Sequence, residues 1–244
     1  MAAGSQQLPS RDLVWDGCLN VRDLGGLPTE DGGDTRFGAV VRADNLRRLS
    51  EAGWQALLDY GVRTAVDLRR PDELALDPPG AAPIEVVHLD LCPLDLIHAD
   101  FALQLEDAYL DMLETFHANF ALAIGAVAHA PAGGVVVHCL VGRDRTGLVA
   151  ALLLRVAGVE ASAVAADWAE SESNLAAELR AWVAAAEEPR ERRRREGFVD
   201  GASAEAMENV LGELDRLYGS APEYLLMGGA GETELELARA RLRG

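Results

Sequence analysis

Residues 135–147 read Val-Val-Val-His-Cys-Leu-Val-Gly-Arg-Asp-Arg-Thr-Gly, and this stretch decides the fold. Val135-Val136-Val137 is a short, wholly apolar run that follows the break at Pro131 to Gly134. It reads as a strand buried on both faces. Thr146 to Ala157 reads as a helix with Leu148, Leu152 and Leu153 facing inward and Gly158 as its stop. A buried strand thus delivers Cys139 into a tight loop, containing Gly142, that opens a helix. A loop with five residues between Cys139 and Arg145 can curl until its backbone N–H groups point at one centre, and the helix adds its positive end. A tetrahedral oxyanion fits there. The same field favours Cys139 as a thiolate, the nucleophilic form. Arg145 can close the ring with a two-pronged grip on phosphate oxygens.

Outward from this stretch, the pattern alternates. Gly38 to Arg42 is β-like, and Ser50 is placed as N-cap of a helix running to about Tyr60, with Gly61 as its stop. Val62 to Leu68 reads as a strand bounded by Arg69-Arg70-Pro71, residues 77–83 as a loop, and Ile84 to Leu89 as another strand. Two helical segments are expected between about Asp100 and His129. Residues 160–217 read as helix, interrupted near Pro189 and Gly197. Strands alternating with helices over the first 160 residues predict an α/β sandwich with a partly parallel sheet, and a helical C-terminal part packed on or over it. Residues 1–13 read as a loose tail and 14–244 as one domain.

The chain has 244 residues, 49% hydrophobic and 25% charged, an ordinary globular composition. Its net charge of −18 argues against nucleic acid as the main partner, since a duplex needs a basic face. All 22 basic residues are Arg, which reads as a compositional bias. Cys18, Cys92 and Cys139 are odd in number and form no CxxC pair, so a reducing, cytoplasmic setting is expected. The N-terminus has no apolar core like that of a signal peptide, and no apolar stretch is long and unbroken enough for stable membrane insertion; secretion by another route stays open. His88, His98, His117 and His129 lack metal-ligand spacing, so neither metal nor other cofactor is expected.

The ten residues from His138 to Gly147 resemble the cysteine-dependent phosphatase signature HCxxGxxRTG. Asn20 to Gly26 (NVRDLGG) is similar to the NFRDLGG motif of the bacterial cysteine-dependent tyrosine-protein phosphatase family, and Gly38 to Leu46 to its GxxxRSxxL, with Ala43 in place of Ser. Val66 to Arg69 resembles its DLR strand end, Asp167 to Ser171 its DYxxS segment, and Tyr218-Gly219 with Glu223 to Leu225 its C-terminal pattern. Arg143 stands where Lys is usual.

The resemblance implies a cysteine-phosphatase-like, mostly parallel central sheet flanked by helices, with a helical lid in about 167–202. It implies a metal-independent protein tyrosine phosphatase, with dual specificity open. Cys139 would attack phosphorus, and Leu140, Val141, Gly142, Arg143, Asp144 and Arg145 would cradle the phosphate. Thr146 would hydrogen-bond the departing thiolate, and His138 would orient the loop. Arg143 and Arg42 are expected at the rim, against substrate. Asp144 is the suggested acid; Asp95, Asp100 and Asp107 remain alternatives. The arginines between 190 and 195 could edge the lid. The expected partner is a phosphorylated protein. A phosphoinositide or inositol phosphate is the alternative substrate, and an inactive phospho-ligand binding module the alternative class. A rhodanese-like sulfur transferase also uses a loop cysteine, but the Arg145-Thr146-Gly147 ending favours phosphate.

Overall fold

The computed structural model describes residues 10–78, 80, 82–92, 105–200 and 202–244. Its centre is strand β5 (Gly134–His138), buried along its whole length. It lies between β2 (Val40–Ala43) and β3 (Val62–Asp67) and runs parallel to both. Val136 sits opposite Val41 on one side and Ala65 on the other. β4 (Glu85–His88) extends the sheet in parallel beyond β3, and the two-residue β1 (Arg22–Asp23) closes the other edge antiparallel to β2. The order is β1-β2-β5-β3-β4, an α/β sheet that is mostly parallel.

Alternation along β5 builds two cores. Val136 and Val62 of β3 face one layer with Leu57 from α1 (Glu51–Asp59) and Trp15 from the N-terminal segment. Val135 and Val137 face the larger layer. That layer holds α3 (Leu105–Thr115), α4 (His117–His129), α5 (Asp144–Val156), α6 (Ala161–Asn174), α9 (Ala204–Tyr218), α10 (Ala221–Met227) and α11 (Glu232–Arg243). Each fully buried Val or Leu stabilises the fold by about 1.5–3 kcal/mol. No helix of the described residues is long and apolar enough to cross a membrane.

Ser50 caps α1 as the sequence predicts, accepting from Gly53 N, and Gly61 ends the turn at φ 97°. Three readings need correction. Pro71, which lies beyond the end of β3 as read, also opens a helix that the reading did not place, α2 (Pro71–Leu76), because a proline at the first helical position loses no hydrogen bond. The helical run does break just before Pro189, which opens α8 (Pro189–Asp200), but α8 runs through Gly197 without the expected interruption. The segment taken as a lid starts inside α6, whose Asp167 and Trp168 are core residues. Only α7 (Ala176–Ala184) and α8 form a separate hairpin, joined by the edge contact of Trp182 with Phe198. The arginines of α8 are tied largely within that hairpin: Arg194 and Arg195 to Glu191, Arg192 to the carbonyls of Ala184 and Ala186.

Candidate active site

The loop from Cys139 to Arg143 leaves β5 at the carboxyl ends of the parallel strands, where open α/β sheets form their binding crevices. Cys139 is buried, and its Sγ accepts from Gly142 N at 3.3 Å. Two side chains pull the loop carbonyls outward: Asn20 Nδ2 on Val141 O at 3.4 Å, and Arg42 Nη2 on Gly142 O at 2.9 Å. In a trans peptide the N–H opposes the C=O, so anchoring these two carbonyls turns the amides of Gly142 and Arg143 the other way. Gly142 holds φ 74°, and a Cβ there would lie 2.5 Å from Ala43 O, so only glycine fits between the loop and β2. Gly147 serves a second close approach: a Cβ would lie 2.6 Å from Trp168 Cδ1.

Beneath the loop, Asp167 binds Arg22 Nε at 3.1 Å and Arg42 Nη1 at 2.8 Å, and also pairs with Arg11. Burial alone would raise this carboxyl; the three guanidinium groups hold it below its ordinary value. Burial and the neighbouring Arg42 lower the Arg22 guanidinium to about 10. Asp23 accepts from Gly25 N, Gly38 N and the Tyr60 hydroxyl, which fastens the NVRDLGG turn to the end of α1. The motif residues Asn20, Arg22 and Asp23 thus act as scaffold for the loop.

Arg145 closes the site from the start of α5. Its Nη1 donates to Leu68 O at 3.2 Å and Glu73 Oε2 at 2.6 Å, and its Nη2 to Glu73 Oε1 at 2.7 Å. Of its five N–H donors, Nε–H and the second Nη2–H make no protein hydrogen bond among the described residues. They leave the Nε–Nη2 edge free for a second fork. Burial would raise the Glu73 carboxyl, but the hydrogen bond and charge of Arg145 hold it low. Asp67 and Arg69 pair at 2.7 Å at the end of β3, fixing the turn that aims Leu68 O at Arg145.

His138 is buried, with Nε2 3.8 Å from Asp67 Oδ2 and Nδ1 3.4 Å from Cys139 O. Burial lowers its pKa from 6.5 to about 4, so it is neutral at pH 7. A folded value below the unfolded one means that stability is fully present above pH 6.5 and is lost as pH falls toward 4. The shift corresponds to roughly 3 kcal/mol. Asp23, Asp44 and Glu172 are raised by burial and titrate with the opposite sign. The measurement is therefore the unfolding free energy of wild type minus that of His138→Gln. That difference should fall by roughly 3 kcal/mol between pH 7 and pH 4; a constant difference contradicts it.

Two arginines expected at the rim are elsewhere. Arg143 is 1% exposed: Nε donates to Asp144 Oδ1 at 3.0 Å, Nη1 to Glu172 Oε1 at 2.9 Å, and Phe198 of α8 covers the guanidinium at 4.5 Å. A desolvated arginine needs such partners. Arg42 is 1% exposed and engaged by Asp167 and Gly142 O, which makes it a prop under the loop. Leu140 and Val141 are in the loop, Leu140 being partly exposed at its mouth. Thr146 is fully buried, and its hydroxyl has no hydrogen-bond partner among the described residues.

Asp144 is nearly buried at the first turn of α5, beside the loop. Asp107 is exposed on α3, two residues from Tyr109, whose hydroxyl meets Asp144; residues two apart on a helix do not face the same way. Asp95 and Asp100 lie outside the described residues. Three residues of the site were not singled out in the sequence: Glu73, Tyr109 and Glu172. Glu73 had a signal, since Pro at the first helical position with Glu at the third marks a helix start. Tyr109 and Glu172 had none.

A strand-borne cysteine, a loop with its amides turned inward and an arginine with one fork open form the equipment of cysteine-dependent phosphatases, as a class of phosphoric monoester hydrolases. A model of the Tyrosine phosphatase family matches residues 13–244, and the chain belongs to that family as a protein-tyrosine phosphatase. A tyrosine-protein phosphatase of Nostoc commune is 31% identical, the match covering 84% of this chain and 74% of the relative. The triple specificity protein phosphatase PtpB of Mycobacterium tuberculosis is 27% identical, covering 93% of this chain and 98% of the relative.

Proposed function

We propose that this enzyme hydrolyses phosphotyrosine on proteins through a phosphocysteine at Cys139. The observation that carries the reading is the anchored loop: Asn20 and Arg42 hold two carbonyls outward while Gly142 N–H meets Sγ. The cysteine sulfur attacks phosphorus in line, the phosphorus–oxygen bond to tyrosine breaks, and Asp144 gives the leaving oxygen its proton. Loop amides and the open edge of Arg145 hold the three equatorial oxygens. Water then attacks phosphorus, Asp144 takes its proton, and the sulfur–phosphorus bond breaks. The Thr146 hydroxyl, otherwise without a partner among the described residues, donates to the departing sulfur.

The inositol-phosphate alternative rested on Arg143 as a flanking charge, and that guanidinium is buried and occupied. The inactive-module reading is disfavoured by the complete pair of Cys139 and Arg145.

The test of the acid is selective. An electron-poor phenol leaves without a proton, whereas tyrosine or an alkyl alcohol needs one. Asp144→Asn should cost about 100-fold or more in kcat on a phosphotyrosine peptide and far less on an activated aryl phosphate. Equal losses on both would make Asp144 structural.

A further inference from the structure

Outside the loop, the residue with the most telling contact is Tyr109. It comes from α3, 35 residues before Asp144 in the chain, and its hydroxyl donates to Asp144 Oδ1 at 2.6 Å. Arg143 Nε donates to the same oxygen at 3.0 Å. Asp144 Oδ2 accepts nothing among the described residues. The Tyr109 ring is buried and meets Trp168 edge-on at 5.8 Å, the same Trp168 that packs over Gly147. Burial, reinforced by the neighbouring Asp144, pushes the phenol well above its ordinary pKa, so it stays a donor at every working pH.

The two oxygens of a carboxylic acid are not equivalent once one is occupied. A protonated hydroxyl oxygen cannot face two fixed donors without turning its own hydrogen away from both. Two donors converging on Oδ1 therefore leave the proton to Oδ2. We propose that Tyr109 is a positioning residue for the acid: with Arg143 it pins Oδ1 of Asp144 and reserves Oδ2 as the oxygen that gives up and regains the proton. The hydrogen bond also holds the side-chain torsion of Asp144, so the proton is offered from one place. This rests on the reading of Asp144 as acid. It predicts an effect that depends on the leaving group, which a packing role for a buried tyrosine would not produce.

Tyr109→Phe removes one oxygen and keeps the ring against Trp168. The expected result is a loss in kcat of about tenfold on a phosphotyrosine peptide, the size of one hydrogen bond to a charged group. On an aryl phosphate with an electron-poor phenol the loss should be about twofold at most, with KM and inhibition by vanadate changed by no more than that. In an Asp144→Asn background, adding Tyr109→Phe should bring no further leaving-group-dependent loss, because the phenol acts through Asp144. Equal losses of Tyr109→Phe on both substrates, or losses that multiply in the double variant, overturn the proposal. If Asp144→Asn alone is selective for the poor leaving group while Tyr109→Phe is not, only the role of Tyr109 falls. If neither is selective, the acid assignment falls with it.

Discussion

Cys139→Ser is expected to lower turnover of a phosphotyrosine peptide on the order of a thousandfold or more, while the peptide still binds. Serine is close in size to cysteine, so the loop keeps its shape. Gly142 N–H, which now meets Sγ at 3.3 Å, has a hydroxyl oxygen to bond instead. Arg145 keeps its grip on Glu73 and Leu68 O, and its open edge still meets a phosphate. What disappears is the nucleophile, because an alcohol at neutral pH holds its proton and His138 beside it is not placed to take it. His138 is buried, lowered to about 4, and directed to Asp67 and the Cys139 carbonyl. Single-turnover kinetics and calorimetry with a phosphotyrosine peptide separate the two effects. Turnover within tenfold of wild type would sink the phosphocysteine mechanism, and loss of binding would show that the loop had collapsed.

Asp167→Ala is expected to cost about 3–5 kcal/mol of stability. Arg22 and Arg42 are both essentially inaccessible to water, and both pair with Asp167; Arg22 has a second, more exposed partner in Glu170 at 3.3 Å. Removing the carboxylate strips Arg42 of its ion pair and leaves the neighbouring Arg22 with only the partly exposed Glu170. Against a total stability of about 5–15 kcal/mol, that is enough to unfold much of the population on mild heating. Asp167→Asn keeps an acceptor in place and should cost less. The same change slackens Arg42, which holds Gly142 O, so activity of the folded fraction should fall although Asp167 touches no substrate. Urea denaturation at pH 7 measures the first effect; a loss below about 1 kcal/mol would contradict it.

The different natures of these two residues mark the limit of reading a chain along its length. Cys139, Gly142 and Arg145 stand within seven residues, so the spacing itself carries the geometry: strand, turn and helix follow from local rules, and the anion site forms where they meet. The alternation of strands and helices likewise determined the sheet, since each periodicity is set within a handful of neighbours. Ser50 as the cap of α1 is of the same kind. Arg143 shows where this ends. Its sequence position beside the loop predicts a charge at the rim, yet Phe198 of α8 and Glu172 of α6 enclose it, and nothing near residue 143 announces either.

The tertiary structure alone decided which distant groups hold the loop and its flanking residues. Asn20 reaches Val141 across 121 residues, Asp167 reaches Arg42 across 125, Glu73 reaches Arg145 across 72 and Tyr109 reaches Asp144 across 35. The motif resemblance marked Asn20 and Asp167 as members of a pattern without giving them their work, and it put Arg42 at the rim instead of under the loop. The physical reason is that a buried ion pair or hydrogen bond is specified by where two elements cross, and crossing depends on the packing of whole layers. Sequence determined that an anion loop exists and which cysteine and arginine belong to it. Only the packing of α2, α3 and α6 around that loop determined which edge of Arg145 stays open and which oxygen of Asp144 stays free.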